Sequence, residues 1–175
     1  PPLGSILYAR EIPDAGGDTL WNNLYLAYDA LSDGMKDMLD GLTAIHSAVK
    51  VYGPEDETNF RAAKTSMKLD QTEQALDIVE HPLVRTHPET GRKGLYLGGA
   101  SYLRRFKDMT EDESKPLIQF LAGHATQPQF TCRFRWEANA IAFWDNRCTQ
   151  HFALNDYHGQ RRMLHRTTID GDRPV

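Results

Sequence analysis

Residues 144–166 read WDNRCTQHFALNDYHGQRRMLHR, from Trp144 to Arg166. The stretch holds a histidine in a strand-like context, a short polar break, and a second strand-like run carrying Arg162 and Arg166. If residues 149–153 are extended, Thr149, His151 and Ala153 share one face while Cys148 and Gln150 point the other way. The Cys148-x-x-His151 spacing therefore fails as a zinc pair on geometry, and two ligands would not complete such a site. In the second run Arg162, Leu164 and Arg166 share a face, with Arg161, Met163 and His165 opposite, and the two arginine stems stand about 13 Å apart at about 3.3 Å per residue. Two arginines on an interior face are costly unless an anion meets them, and arginine is the side chain that grips a carboxylate with paired hydrogen bonds. The reading adopted is that His151 is a metal ligand and that the arginines receive anionic groups beside it. From the residues alone, a structural histidine and a solvent-facing basic edge strand stay open.

Upstream of this stretch the pattern is also β. Phe130, Cys132, Phe134 and Trp136 alternate with Thr131, Arg133 and Arg135, a turn follows at residues 137–139, and residues 140–144 form the next strand. The first half is more helical. A strand over residues 5–11 is closed by Pro13 and Gly16-Gly17; Leu24, Ala27, Tyr28 and Leu31 then fall at helical spacing. Ser32 is placed to cap a second short helix that turns Met35, Met38 and Leu39 to one side and stops at Gly41. Residues 42–49 read as a strand. Residues 51–80 are polar and charge-dense, with a weak helical pattern near Leu76 and Val79, and are expected to form a lid or surface excursion. Residues 81–98 read as a strand, a turn at residues 88–91 and a return strand. Thr110 and Glu113 make a capping-box pattern, although Pro116 moves the expected helix start toward Ser114, and Pro128 ends it. Short strands with tight turns and helices gathered in the first half predict a mainly β sandwich or jelly roll with helical insertions.

The chain's 175 residues suit one domain. A formal charge of -4, from 24 acidic and 20 basic residues, argues against a nucleic-acid binder. No apolar run approaches the roughly 18 residues of a membrane span, and no signal peptide is visible. Two cysteines are too few for a disulfide framework, so a cytoplasmic location is expected.

Six blocks together resemble the iron(II)- and 2-oxoglutarate-dependent dioxygenases of the taurine dioxygenase type: GGDTLW (16–21), AYDALS (27–32), GLTAIH (41–46), HPLVRTHPETGRKGLY (81–96), WDNRCTQH (144–151) and RRMLHRTTIDGDRP (161–174). The resemblance implies a double-stranded β-helix of the cupin-like, jelly-roll kind. It implies an iron held by two histidines and a carboxylate, an arrangement that leaves positions open for 2-oxoglutarate and O2. By resemblance His151 is the distal histidine. Arg162 clamps the far carboxylate of 2-oxoglutarate with help from the Thr19 hydroxyl, and Arg166 faces the 2-oxoglutarate or the anionic group of the substrate. The family's other two ligands come as a His-x-Asp pair upstream of the segment that here begins at Pro1, so the chain is expected to be the C-terminal part of a longer protein. His87-Pro88-Glu89 spells His-x-Glu but belongs to a separate family element, and is expected to be a structural turn. The implied activity is hydroxylation of a small anionic substrate such as taurine, another sulfonate or an alkyl sulfate, with release of succinate and CO2. A jelly-roll binder that holds an anion without redox chemistry is the alternative. Family members commonly associate, which leaves a homo-oligomer open.

Overall fold

The computed structural model describes residues 1–53, 72–98 and 101–174. In chain order, β1 (Gly4–Glu11) and β2 (Thr19–Asn23) lead to α1 (Leu24–Asp29), α2 (Asp33–Leu39), β3 (Thr43–Ser47) and α3 (Val49–Tyr52). Then come β4 (Ile78–Pro82), β5 (Val84–Thr86), β6 (Lys93–Leu95), β7 (Leu103–Phe106) and α4 (Glu111–Ala125). Four strands close the chain: β8 (Thr131–Phe134), β9 (Ile141–Asp145), β10 (Thr149–Ala153) and β11 (Met163–Ile169).

Every described pairing is antiparallel. Two three-stranded sheets, ordered β11-β1-β9 and β10-β2-β8, make the jelly-roll half of the molecule. They face one another across an aromatic core of Trp21, Trp136 and Trp144 with Ala9, to which Leu7, Phe134 and Leu164 add their side chains. The register assigns the faces. Ser5 lies between Thr168 and Trp144, and Leu7 between Arg166 and Ala142, so these residues share the inner face of the first sheet. Ile141 and Phe143 alternate with Ala142 and Trp144 along β9 and are each 63% exposed on the outer face.

The other half packs the β4-β3-β7 sheet and the β5-β6 hairpin against the helices, around Leu24, Leu39, Leu83, Leu95, Phe106 and Leu121. Local chemistry sets the helix starts. The Asn23 side chain accepts from the Tyr25 and Leu26 amides, and the Ser32 hydroxyl accepts from Met35. Thr110 and Glu113 form the reciprocal capping box, and α4 begins at Glu111 rather than near Ser114. Pro116 sits inside this helix because the box fixes the first turn, and one lost backbone bond there is tolerated.

Residues 54–71 of the expected 51–80 excursion lie outside the described residues; its described tail is a 3-10 turn at Glu73–Leu76, then β4 on the edge of a sheet. Two further expectations need correction. Of the weak helical pattern near Leu76 and Val79, Leu76 ends the 3-10 turn, whereas Val79 lies in that edge strand and is 47% exposed. Met38 is 49% exposed, since only Leu39 of that pair faces the core. The strand β7 has no counterpart in the sequence pattern: its Leu103 and Phe106 are buried around half-buried Arg104 and Arg105, without alternation. Its pairing with β3 shifts register between Ile45 and His46, which breaks the two-residue period.

Candidate active site

The Gly16-Gly17 turn opens the site. Both glycines have positive φ, 81° and 72°, and a Cβ on Gly17 would stand 2.9 Å from Cδ of Arg162. The turn is pinned by the Gly17 amide donating to Asp156 Oδ1 at 2.7 Å and by Arg162 Nε donating to the Gly17 carbonyl at 2.9 Å. Asp18 accepts from Arg133 Nε at 2.6 Å. Thr19 follows at the start of β2, 1% exposed, and its Oγ1 accepts from Trp136 Nε1 at 3.0 Å. A threonine hydroxyl that accepts from an indole still has its own proton to donate.

His151 pairs with Trp21 across β10 and β2, and Thr19 pairs with Ala153, which puts Thr19, Trp21 and His151 on one face. The imidazole lies against two indoles, with ring centroids 4.8 Å from Trp144 and 6.5 Å from Trp21. His151 itself is exposed. Cys148 turns away from this face, toward Tyr25 and the Asp145 carbonyl, and burial raises its thiol pKa.

Arg162 and Arg166 occupy different settings. Arg162 precedes β11 rather than lying in it, because the β1–β11 register slips between Ala9 and Glu11. It is half-buried against the glycine turn, and burial lowers its pKa against the pull of Tyr157 and Asp18. Arg166 lies within β11 opposite Leu7, and its NH2 donates to Ser5 Oγ at 3.0 Å. Ser5 is fully buried and also accepts from Asn146 Nδ2 at 2.9 Å; Asn146 Oδ1 in turn accepts from Trp144 Nε1 at 2.8 Å. Ser5, Asn146 and Trp136 do not stand out in the sequence as site residues. The alternation of β1 and β9 could have placed Ser5 beside Trp144, but nothing in it joins Ser5 to Arg166, 161 residues away.

Next to the turn between β9 and β10 lies a part-buried polar network, open to solvent at Glu89. Asp145 accepts from Arg147 and from His87 Nε2, the latter at 3.0 Å, and the other side of Arg147 meets Glu89 through two bonds of 3.0 and 3.1 Å. Burial pushes the Asp145 carboxyl up, but the bonds from Arg147 and His87 outweigh it and hold its pKa at about 2. His87 Nδ1 accepts from the Glu89 and Thr90 amides, both at 3.3 Å, so both of its ring nitrogens are committed. Further off, His46 and His81 lie with ring centroids 5.4 Å apart beside Tyr96. Burial lowers both imidazole pKa values, and the repulsion that a charge on both rings would bring helps take His81 to about 4.

Among the described residues no group of three or more His, Cys, Asp or Glu side chains could hold a metal ion. The site as the described residues build it offers an exposed imidazole, a buried hydroxyl and two arginines. That donor set fits part of a 2-oxoglutarate and metal centre and does not complete it.

Facing antiparallel sheets with these groups on their inner surfaces define a double-stranded β-helix, or jelly-roll, protein. The chain belongs to the taurine catabolism dioxygenase TauD, TfdA family, whose model matches residues 1–168. It is 37% identical over 174 residues to an alpha-ketoglutarate-dependent sulfate ester dioxygenase of Pseudomonas putida, covering 99% of this chain and 57% of that protein. It is 36% identical to an alkylsulfatase of Acinetobacter baylyi, covering 98% of this chain and 53% of the relative. Among solved structures, a taurine dioxygenase from Burkholderia xenovorans is 42% identical with a TM-score of 0.82, matching 100% of this chain and 54% of that one. The chain thus spans a little over half the length of these relatives. No described helix is long and apolar enough to cross a membrane.

Proposed function

We propose that the intact protein is an Fe(II)- and 2-oxoglutarate-dependent dioxygenase acting on a small sulfate ester or sulfonate. The family match over residues 1–168 carries this reading, and the names of the Pseudomonas and Acinetobacter relatives direct it toward sulfate esters. Bound iron would supply oxygen activation coupled to conversion of 2-oxoglutarate and O2 to succinate and CO2, with the second oxygen atom delivered to a substrate C–H bond.

This chain's residues would hold the reactants. His151 presents an imidazole whose ring is steadied by Trp144 and Trp21. Arg162 spends Nε on the Gly17 carbonyl, leaving its terminal amino groups for the far carboxylate of 2-oxoglutarate, with the Thr19 hydroxyl as a second donor. Arg166 is aimed by Ser5 and keeps its remaining protons for 2-oxoglutarate or the sulfur-containing anion. Hydroxylation at the carbon bearing that group gives a product that falls apart to sulfate or sulfite and an aldehyde. The ligands that complete the iron site would come from outside these residues, as would part of the substrate pocket. A cytoplasmic location fits this reading.

The test is anaerobic addition of Fe(II) and 2-oxoglutarate to the intact protein. A charge-transfer absorption band is expected, lost in His151→Ala; no band, with iron binding indifferent to that substitution, refutes the assignment. Succinate formation across a panel of alkyl sulfates, sulfonates and aryloxy acids then ranks substrates. The second reading, an anion binder without redox chemistry, draws on the incomplete ligand set among the described residues. It predicts anion binding with no iron affinity.

A further inference from the structure

The HPET turn at residues 87–90 stands apart from the groups assigned above to the reactants, yet its His87 meets Asp145 beside them at 3.0 Å. We propose that His87 is a positioning residue for His151, acting with Glu89 through Asp145 and Arg147; this rests on the assignment of His151 as an iron ligand.

The geometry fixes the direction of every bond. Nδ1 of His87 is an acceptor for two backbone amides, so the ring proton sits on Nε2 and is donated to Asp145 Oδ2. His87 is 4% exposed and the Arg147 side chain 5%, which shields the brace from water on the inner side. Asp145 Oδ1 accepts from the Arg147 amide at 2.8 Å and from its Nε at 2.9 Å, which folds residues 145–147 into one conformation. The Asp145 carbonyl accepts from the Thr149 hydroxyl, and the Cys148 carbonyl accepts from the Leu24 amide at 2.9 Å. The whole turn from Asp145 to Thr149 is therefore held, and only Gln150 separates it from His151. On the opposite flank Asn146 fixes Ser5, to which Arg166 also donates. One turn thus sets the imidazole and aims the arginine. Side chains beyond the ligands themselves commonly decide ligand orientation, and their loss costs roughly 10- to 100-fold in metal affinity.

The experiment compares wild type, His87→Leu and His87→Gln in the intact protein. Glutamine can present an N–H where Nε2–H stood; leucine cannot. His87→Leu is expected to weaken Fe(II) binding about 10-fold, to alter the Fe(II)–2-oxoglutarate band, and to speed amide exchange at residues 150–152 in the metal-free protein. His87→Gln is expected to recover most of each. A folded His87→Leu protein with wild-type Fe(II) affinity overturns the proposal, as does equal weakening by leucine and glutamine, which would mark a packing effect. Should His87→Leu not fold, Glu89→Gln at the 67% exposed end of the brace decides. Weaker Fe(II) binding there supports the brace, and unchanged binding overturns it. If wild type and His151→Ala bind Fe(II) alike, the ligand assignment fails instead; the exchange measurement then decides the brace alone, and unchanged exchange in His87→Leu overturns it.

Discussion

Gly17→Ala tests whether the glycine turn aims Arg162. Two costs are readable from the structure. The backbone at φ 72° is left-handed, which an alanine adopts at about 1 kcal/mol. The new Cβ would also stand 2.9 Å from Cδ and 3.0 Å from Nε of Arg162, so the arginine must move and give up its bond to the Gly17 carbonyl. Gly41 supplies the control, because its φ is 80° but a Cβ added there would meet no atom within 4 Å. Gly41→Ala should therefore lose only about 1 kcal/mol of stability in urea unfolding and leave 2-oxoglutarate binding unchanged. Gly17→Ala should lose that and more, and if Arg162 grips the carboxylate, a charge-assisted bond of about 1.5–3 kcal/mol goes with it. That predicts a 2-oxoglutarate Kd raised about 10- to 100-fold, measured by calorimetric titration of the Fe(II)-loaded protein. Wild-type affinity in a folded Gly17→Ala protein would refute the reasoning.

Thr19→Val leaves the buried Trp136 Nε1 without an acceptor and should cost about 1–3 kcal/mol in unfolding, and Trp136→Phe should cost less on that background than in the wild type; simple additivity of the two would count against the bond. Asp145 has a folded pKa depressed to about 2, so its contribution is present above the unfolded carboxyl pKa and is lost as pH falls from about 4 through about 2. Asp145→Asn should flatten the acid limb of stability in that window, read as the urea midpoint against pH. For His81 the folded pKa is also depressed, to about 4, so the unfolded state binds the proton first. Stability should fall between about pH 6.5 and pH 4, and His81→Asn should remove part of that slope; a His81 NMR titration near 6.5 would contradict the burial argument.

Much of the jelly roll was legible because side chains along its strands alternate between two faces with a period of two. In β9, Ala142 and Trp144 alternate with outward Ile141 and Phe143, and β10 runs over residues 149–153 as its pattern implies. Caps were equally readable, since Ser32 and the Thr110–Glu113 pair act within four residues of themselves. Failures came where tertiary pairing overrode local pattern. The register shift against β3 hid β7, and Val79, read with Leu76 as helical, pairs instead in an edge strand. At the site, alternation put His151 on the right face, but the slip beside Ala9 took Arg162 out of its strand. The Asn146–Ser5–Arg166 relay joins three distant segments, and no local rule links residues 141 and 161 positions apart.

The chain has three tryptophans, and all three stand in the aromatic core beside His151. Trp21 lies 5.3 Å from Trp144 and 6.4 Å from Trp136, centroid to centroid, so the indoles form a single optical unit. The indole emission of these 175 residues therefore arises in one place. With excitation that spares the chain's tyrosines, an ion arriving at His151, 4.8 Å from Trp144, would quench emission that comes from this one core. The fold carries its own fluorescent reporter of the site, readable without label, cofactor turnover or substrate.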